Sequence, residues 1–288
     1  MYIRIILLTA LLVTLVFSYR QFEDRQIYYP ESVLVQKDLL AAIQDPKLKT
    51  KIRDVYFKAT DGTRLNAWYV AATDKKPMIV FAHGNAGNIA DRWAVMRPFV
   101  EAGYGFFVFD YRGYGKSEGS PSEQGVYSDL EGASAFLEKQ YGVAVTEQIA
   151  MGGSLGGGVV MDVATRLPFK AIIVFSSFTS VPDVWTYQLE NRGLGWLNVL
   201  PWHWIIQQDF NSLSKTGSVN LPTVIAHGQS DKMIPVSMSK TLYQHLGSRH
   251  KRFVVDPNGG HGVSSRLLLS ELEQLMKATQ PRATSESR

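Results

Sequence analysis

The sequence predicts an α/β fold with a mostly parallel central sheet and helices on both faces. Three observations point there. Six short runs are apolar on both sides of the strand, the pattern of strands buried under helices. Amphipathic stretches of helical length separate most of these runs. The 288 residues are 45% hydrophobic and 19% charged, the composition of a folded chain long enough for one full core.

The chain opens with MYIRIILLTALLVTLVFSYRQ, in which one Arg near the start precedes an uncharged apolar run from Ile5 to Phe17. That run is short for a span of about 20 residues and ordinary for a signal-peptide core. Residues 1–19 therefore read as a membrane-targeting segment, either a signal-anchor or a cleaved signal peptide. A single domain of residues 20–288 follows. Val55 to Ala72 alternates apolar and polar residues around Asp61-Gly62, predicting an antiparallel hairpin at a sheet edge. The continuous apolar runs are Met78–Ala82, Gly105–Phe109, Ile149–Met151, Ala171–Phe175, Thr223–Ala226 and Arg252–Val255.

Helices are predicted over Ile89–Glu101, Ser122–Gln140, Leu155–Arg166, Pro235–Leu246 and Ser264–Ala278. Ser120, Pro121 and Glu123 have the spacing of a capping box ahead of the second, whose face Val126, Leu130, Ala133 and Leu137 should pack on the sheet. Phe178 to Ser218 breaks the alternation. This stretch is too long for one crossover helix, is interrupted by Gly193, Gly195 and Pro201, and holds Trp185, Trp196, Trp202 and Trp204. It predicts a helical cap insertion over about 178–218, either as extra core or as a lid whose tryptophans bind substrate. The polar tail QPRATSESR should be loose.

Composition excludes several classes. Thirty Lys and Arg against 26 Asp and Glu give +4 with scattered basic residues, so no nucleic-acid footprint is present. The absence of cysteine excludes disulfides, thiolate metal sites and a cysteine nucleophile. No HExxH or similar spacing suggests a metal, and no cofactor is implied.

Gly152-Gly153-Ser154-Leu155-Gly156 matches GxSxG, a pattern that chance supplies in roughly one chain of this length in ten. Its setting is more specific, because a strand candidate ends before Ser154 and a helix candidate begins after it. A serine hydroxyl needs a base to take its proton and a carboxylate to orient that base. Asp231 and His261 each lie a few residues past a strand candidate, in the order Ser, Asp, His. Asp183 and Asp256 compete with Asp231 for the acid. His83 and His227 read as structural, and His203, His245 and His250 as insertion or surface positions.

The segments VFAHGNAGN, VFDYRGYGKSEG, GGSLGG, IAHGQSDKMIP and PNGGH stand in the order of the landmarks of the α/β-hydrolases, which this sequence resembles from Val55 to about Ala278. The leader followed by RQIYYPES is further similar to the membrane-tethered, bud-emergence type of hydrolase-domain proteins, whose relatives include protein depalmitoylases. The resemblance implies Ser154 as nucleophile, His261 as general base then acid, and Asp231 as its orienting carboxylate, a choice that favours Asp231 over its rivals by its distance past IAHG. It places the oxyanion hole at the backbone N–H of Leu155 and that of Asn85, or else Ala86. Asp110 matches the aspartate that braces the following loop.

The implied reaction is hydrolysis of a carboxylic ester or thioester through an acyl-enzyme. The substrate would be a small-molecule or lipid-like acyl compound, or an acylated protein. The N-terminal segment would be the membrane partner, making the chain membrane-anchored, or exported if that segment is cleaved. A serine peptidase or an acyltransferase would share the same triad, and a silent membrane-tethered binding protein would share the fold.

Overall fold

The structure, a computed structural model, describes residues 14, 18–31, 51–73 and 75–279. Eight strands make one sheet: β1 (Arg53–Lys58), β2 (Arg64–Val70), β3 (Met78–Ala82), β4 (Gly105–Phe109), β5 (Gln148–Gly153), β6 (Ala171–Phe175), β7 (Thr223–Gly228) and β8 (Lys251–Asp256). Their spatial order is β8-β7-β6-β5-β3-β4-β2-β1. The predicted hairpin forms the edge. β1 pairs antiparallel with β2 and β2 antiparallel with β4, while every other neighbouring pair is parallel.

The helices are α1 (Trp93–Glu101), α2 (Glu123–Tyr141), α3 (Leu155–Val163), α4 (Val181–Asn191), α5 (Trp202–Ile205), α6 (Ser212–Thr216), α7 (Val236–His245) and α8 (Ser265–Thr279). Side-chain alternation along the strands divides the core into two layers. Val80 and Ala82 of β3 join one layer with α2, α3 and α7, and Ile79 and Phe81 join the other with α1 and α8. Both faces of β3 to β7 are thereby covered, which is why their runs are apolar, while β8 at the edge is only partly buried. The predicted α2 face is buried in full. Val126, Leu130, Ala133 and Leu137 are all inaccessible, and a buried side chain of the Val or Leu type contributes about 1.5–3 kcal/mol.

Three boundaries differ from expectation. Ser122, not Ser120, caps α2, its Oγ accepting from Gly125 N at 3.2 Å, so that the helix starts at Glu123 and Pro121 stays outside it. The helix predicted from Ile89 starts as a 3-10 turn, Ile89–Arg92. Asp91 Oδ2 accepts from Asn88 N and Asn88 Oδ1 from Ala90 N, which tightens the first turn. α3 stops at Val163, and Thr165 and Arg166 close a turn instead.

The predicted insertion contains α4, a 3-10 turn at Gly195–Val199, and the short α5 and α6. Residues 18–27 are helical and lead into a two-residue strand, Tyr29–Pro30, paired in parallel with Ala86–Gly87. Most of the leader at 1–19, and the tail from 280 onward, lie outside the described residues. Among the described residues no helix is long and apolar enough to cross a membrane.

Candidate active site

β3 lies between β4 and β5, so the chain leaves it on one side for β4 and returns to the other for β5. This reversal opens a crevice at the carboxyl ends of β3 and β5, where open α/β sheets place ligands. Ser154 follows β5 there and immediately precedes α3. Its backbone has φ 54° and ψ −119°, a left-handed region that costs a non-glycine residue on the order of 1–3 kcal/mol. The surrounding contacts impose it. Ser154 N donates to Phe175 O at 3.0 Å, while Ser154 O accepts from Gly157 N at 3.0 Å and Ser177 Oγ at 3.1 Å.

Two glycines permit this turn. A Cβ on Gly152 would lie 2.1 Å from Gly156 O, and one on Gly156 would lie 1.9 Å from Ala82 O. The strand, the helix and the end of β3 can approach so closely only without side chains at both positions.

The loop after β3 faces this turn. The N–H of Leu155 opens α3, where no preceding turn supplies an acceptor. The N–H of Asn85 makes no hydrogen bond among the described residues. Its other groups are held: Asn85 O accepts from Tyr29 N at 2.9 Å and Tyr114 OH at 2.7 Å, and Asn85 Nδ2 donates to Ile27 O at 2.9 Å. Ala86 instead belongs to the short strand paired with Tyr29. Beneath the loop, buried His83 donates from Nδ1 to Gly84 O at 2.6 Å, and burial, with the nearby Arg92 cation, lowers its pKa to about 3. Asp110 accepts from Ile89 N at 2.9 Å and is raised to about 7 by its own burial. Both residues brace the loop from outside the crevice.

Asp231 and His261 follow β7 and β8. His261 Nδ1 lies 2.9 Å from Asp231 Oδ2, so that nitrogen donates and Nε2 keeps the lone pair. No hydrogen bond joins Ser154 Oγ to this imidazole, a contact that commonly tightens only when substrate is bound. Asp231 Oδ1 accepts from Met233 N at 2.8 Å and Ile234 N at 3.0 Å.

The rival acids are engaged elsewhere. Asp183 accepts from Thr179 Oγ1 at 2.5 Å and faces His203 at 3.4 Å. Asp256 accepts from Asn258 N and Ser264 N, at 3.0 and 2.8 Å, and so shapes the loop that carries His261.

His227 reads from the sequence as structural. Its Nε2 does face Ile234 O at 2.9 Å, but it also lies 3.2 Å from Asp231 Oδ2. Two acceptors place the proton on Nε2, leaving Nδ1 to accept from Ser239 Oγ at 2.7 Å. The carboxylate therefore serves two imidazoles. Burial pushes the Asp231 pKa up, yet hydrogen bonds from His227, His261 and Ile234 N–H outweigh it and hold the carboxyl well below the usual carboxylate range.

A folded-state pKa below the unfolded value of about 3.9 adds stability that is complete above that value and is lost as pH falls through the folded one. The urea midpoint of the wild-type protein should thus drop more steeply from about pH 5 to about pH 3 than that of Asp231→Asn. Parallel curves would mean that the carboxylate is no better stabilised in the folded protein than in the unfolded chain.

Ser154, Leu155 and Asn85 line a cavity of about 420 Å³. Trp185 and Trp202 form part of its wall, with ring centroids 5.8 Å apart and planes at 65°. The other two predicted substrate-binding tryptophans do not reach it. Trp196 is 71% and Trp204 88% exposed. α5 is a single turn, so residues two apart project from nearly opposite sides, Trp202 inward and Trp204 outward.

A further part of the wall carries no sequence signal: Tyr19, Phe22, Glu23, Gln26 and Ile27 of the helical segment 18–27 line the cavity. Buried Glu23 accepts from the N–H groups of Gln207 and Gln208, both at 2.8 Å, tying that segment to the insertion. The RQIYYPES stretch marked the region as distinctive but carried no pattern assigning it to a wall. Among the described residues no cluster of His, Cys, Asp or Glu could hold a metal ion.

A serine on a strained strand-to-helix turn at the sheet's switch point, with a carboxylate–imidazole pair beyond the next strands, defines the α/β-hydrolase class. The chain belongs to the Hydrolase_4 family, described as serine aminopeptidase, S33, whose profile matches residues 73–217. It is 29% identical over 243 residues to the uncharacterized protein YfhR of Escherichia coli (strain K12), covering 81% of this chain and 78% of that one. Similarity to the protein bem46 of Schizosaccharomyces pombe (strain 972 / ATCC 24843) is 29% over 191 residues, 65% of this chain and 62% of that one, in agreement with the resemblance to the bud-emergence type. The fold matches that of the Pyrococcus furiosus esterase Pf2001 with a TM-score of 0.67 at 20% identity, over 88% of this chain and 97% of the other.

Proposed function

We propose that the protein is a serine hydrolase that cleaves carboxylic esters or thioesters of apolar acyl groups. Ser154 Oγ attacks the acyl carbon as His261 Nε2 takes its proton, and the N–H groups of Leu155 and Asn85 receive the oxyanion, each contributing on the order of 3 kcal/mol. His261 returns the proton to the departing alcohol or thiol. Water then adds to the acyl-enzyme with the same imidazole as base, releasing the acid and restoring Ser154. Asp231 keeps the imidazole in the tautomer that both steps need.

The observation that carries this reading is that Ser154 opens onto a cavity with many apolar side chains in its wall, among them Phe178, Val181, Val184, Trp185, Trp202 and Ile206. Such a wall suits a hydrocarbon chain. It also favours an acyl group over the amino-terminal peptide that the family's description names, since a peptide's ammonium would want an anionic partner. Among the described residues Glu23 is the one acidic side chain lining the cavity, and the cations Arg192 and Lys232 line it as well. The apolar run Ile5–Phe17 would tether the enzyme to a membrane as a signal-anchor, or export it if cleaved.

An acyl-length series of esters and thioesters, together with a fluorophosphonate probe, tests the reading on the purified full chain. The probe should label Ser154. kcat/KM should rise roughly fourfold per added methylene until the cavity is full, from about 0.8 kcal/mol per buried CH₂. A preference for amides, or a probe that leaves Ser154 unlabelled, would overturn it.

A further inference from the structure

The mouth of the cavity is rimmed by side chains that do not belong in water. Phe22 and Met233 line the cavity, yet are 57% and 53% exposed. Arg192 and Lys232 stand at the same rim and are also exposed. Beside them the insertion turns Trp196, Val199 and Trp204 outward, Val199 being 84% exposed. Single exposed apolar residues are ordinary; two tryptophans and a valine within nine positions, next to an apolar rim, form a patch that calls for a partner.

The helical segment 18–27 is fastened to that patch. Tyr19 OH donates to Ile205 O at 2.9 Å, and Arg20 Nε to Gln207 Oε1 at 3.0 Å. The chain just before this segment is the uncharged apolar run Ile5–Phe17. The insertion, with the segment 18–27 and the Lys232–Met233 turn bonded to it, thus forms a connected face that carries cavity-lining side chains, the exposed tryptophans, two cations and the attachment point of the apolar run.

We propose that this face docks on a lipid bilayer, with Phe22, Trp196, Val199 and Trp204 at the boundary between headgroups and acyl chains and Arg192 and Lys232 against phosphate. Aromatic rings together with cations are the residue types that membrane interfaces favour, and the neighbouring apolar run selects a bilayer over a second copy of the chain or another protein. Docked in this way, the cavity receives an acyl chain straight from the bilayer, without passage through water. The acyl-hydrolase reading above is needed for that last step only; the docking itself does not depend on it.

The test uses the full chain reconstituted into phosphatidylcholine–phosphatidylglycerol vesicles with brominated acyl chains. Tryptophan emission should be quenched, and much of that quenching should vanish in a Trp196→Phe/Trp204→Phe variant. Equal quenching in both proteins, or none in either while the chain sediments with the vesicles, would overturn the proposal. So would a fall in molecular mass of the detergent-solubilised variant without lipid quenching, which would assign the face to self-association.

In the activity arm, Trp196→Ser/Trp204→Ser should hydrolyse a vesicle-borne long-chain ester about tenfold more slowly, with a soluble short-chain ester unaffected. Equal losses on both substrates would place these residues in the site rather than at a membrane, against the proposal. Quenching that depends on the tryptophans in a chain inactive on every ester would uphold docking and overturn the acyl-hydrolase reading instead.

Discussion

Ser154→Ala is expected to lower turnover of a soluble short-chain ester by about 10⁶-fold, as removal of the nucleophile does in serine hydrolases, and to abolish fluorophosphonate labelling. The fold should survive. The hydroxyl of Ser154 makes no hydrogen bond among the described residues, and the bonds that pin the turn run through its backbone to Phe175, Gly157 and Ser177. Alanine retains those bonds and the same strained φ. Substrate should still bind, because the cavity wall is untouched, so an ester analogue should perturb the tryptophan emission of the variant as it does that of the wild type. Hydrolysis retained at more than a hundredth of the wild-type rate would move the nucleophile away from the turn at β5.

Asp231→Asn is expected to lower turnover by about 10⁴-fold, the loss that follows when the orienting carboxylate cannot hold its histidine in the working tautomer. The hydrogen bonds explain why so small a change acts so strongly. Asp231 Oδ1 is fixed by the N–H groups of Met233 and Ile234, so an asparagine would put its carbonyl there and its amide nitrogen where Oδ2 now stands. That nitrogen would face His261 Nδ1 and His227 Nε2, each of which now carries a proton. His261 could answer only by moving its proton to Nε2, the atom that must accept from Ser154. Kinetics on soluble esters, with circular dichroism to verify folding, measure the effect; near-normal turnover would leave Asp231 a structural role alone.

Much of the scaffold was legible because its signals are local. The limits of β3, β4 and β6 coincide with apolar runs seen in the sequence, since a strand buried on both faces tolerates no polar interruption. The turn at Ser154 was legible for a similar reason, as Gly152 and Gly156 stand where any Cβ would strike backbone. The cap of α2 lies two residues past the expected one because Ser120 and Ser122 offer the same chemistry, and only where the helix begins, at Glu123, separates them.

By itself the sequence determined the order of strands and helices, the glycine-lined turn, and the candidacy of Ser154, Asp231 and His261. Each follows from side-chain periodicity or from steric limits within a few residues. Tertiary structure alone decided which tryptophans face the cavity, that Asp231 serves His227 as well as His261, and that residues 18–27 complete the cavity wall. Tyr19 and Ile205 meet across 186 positions of chain. No spacing rule spans that distance, because such a contact is set by how whole elements pack and not by the residues on either side of it.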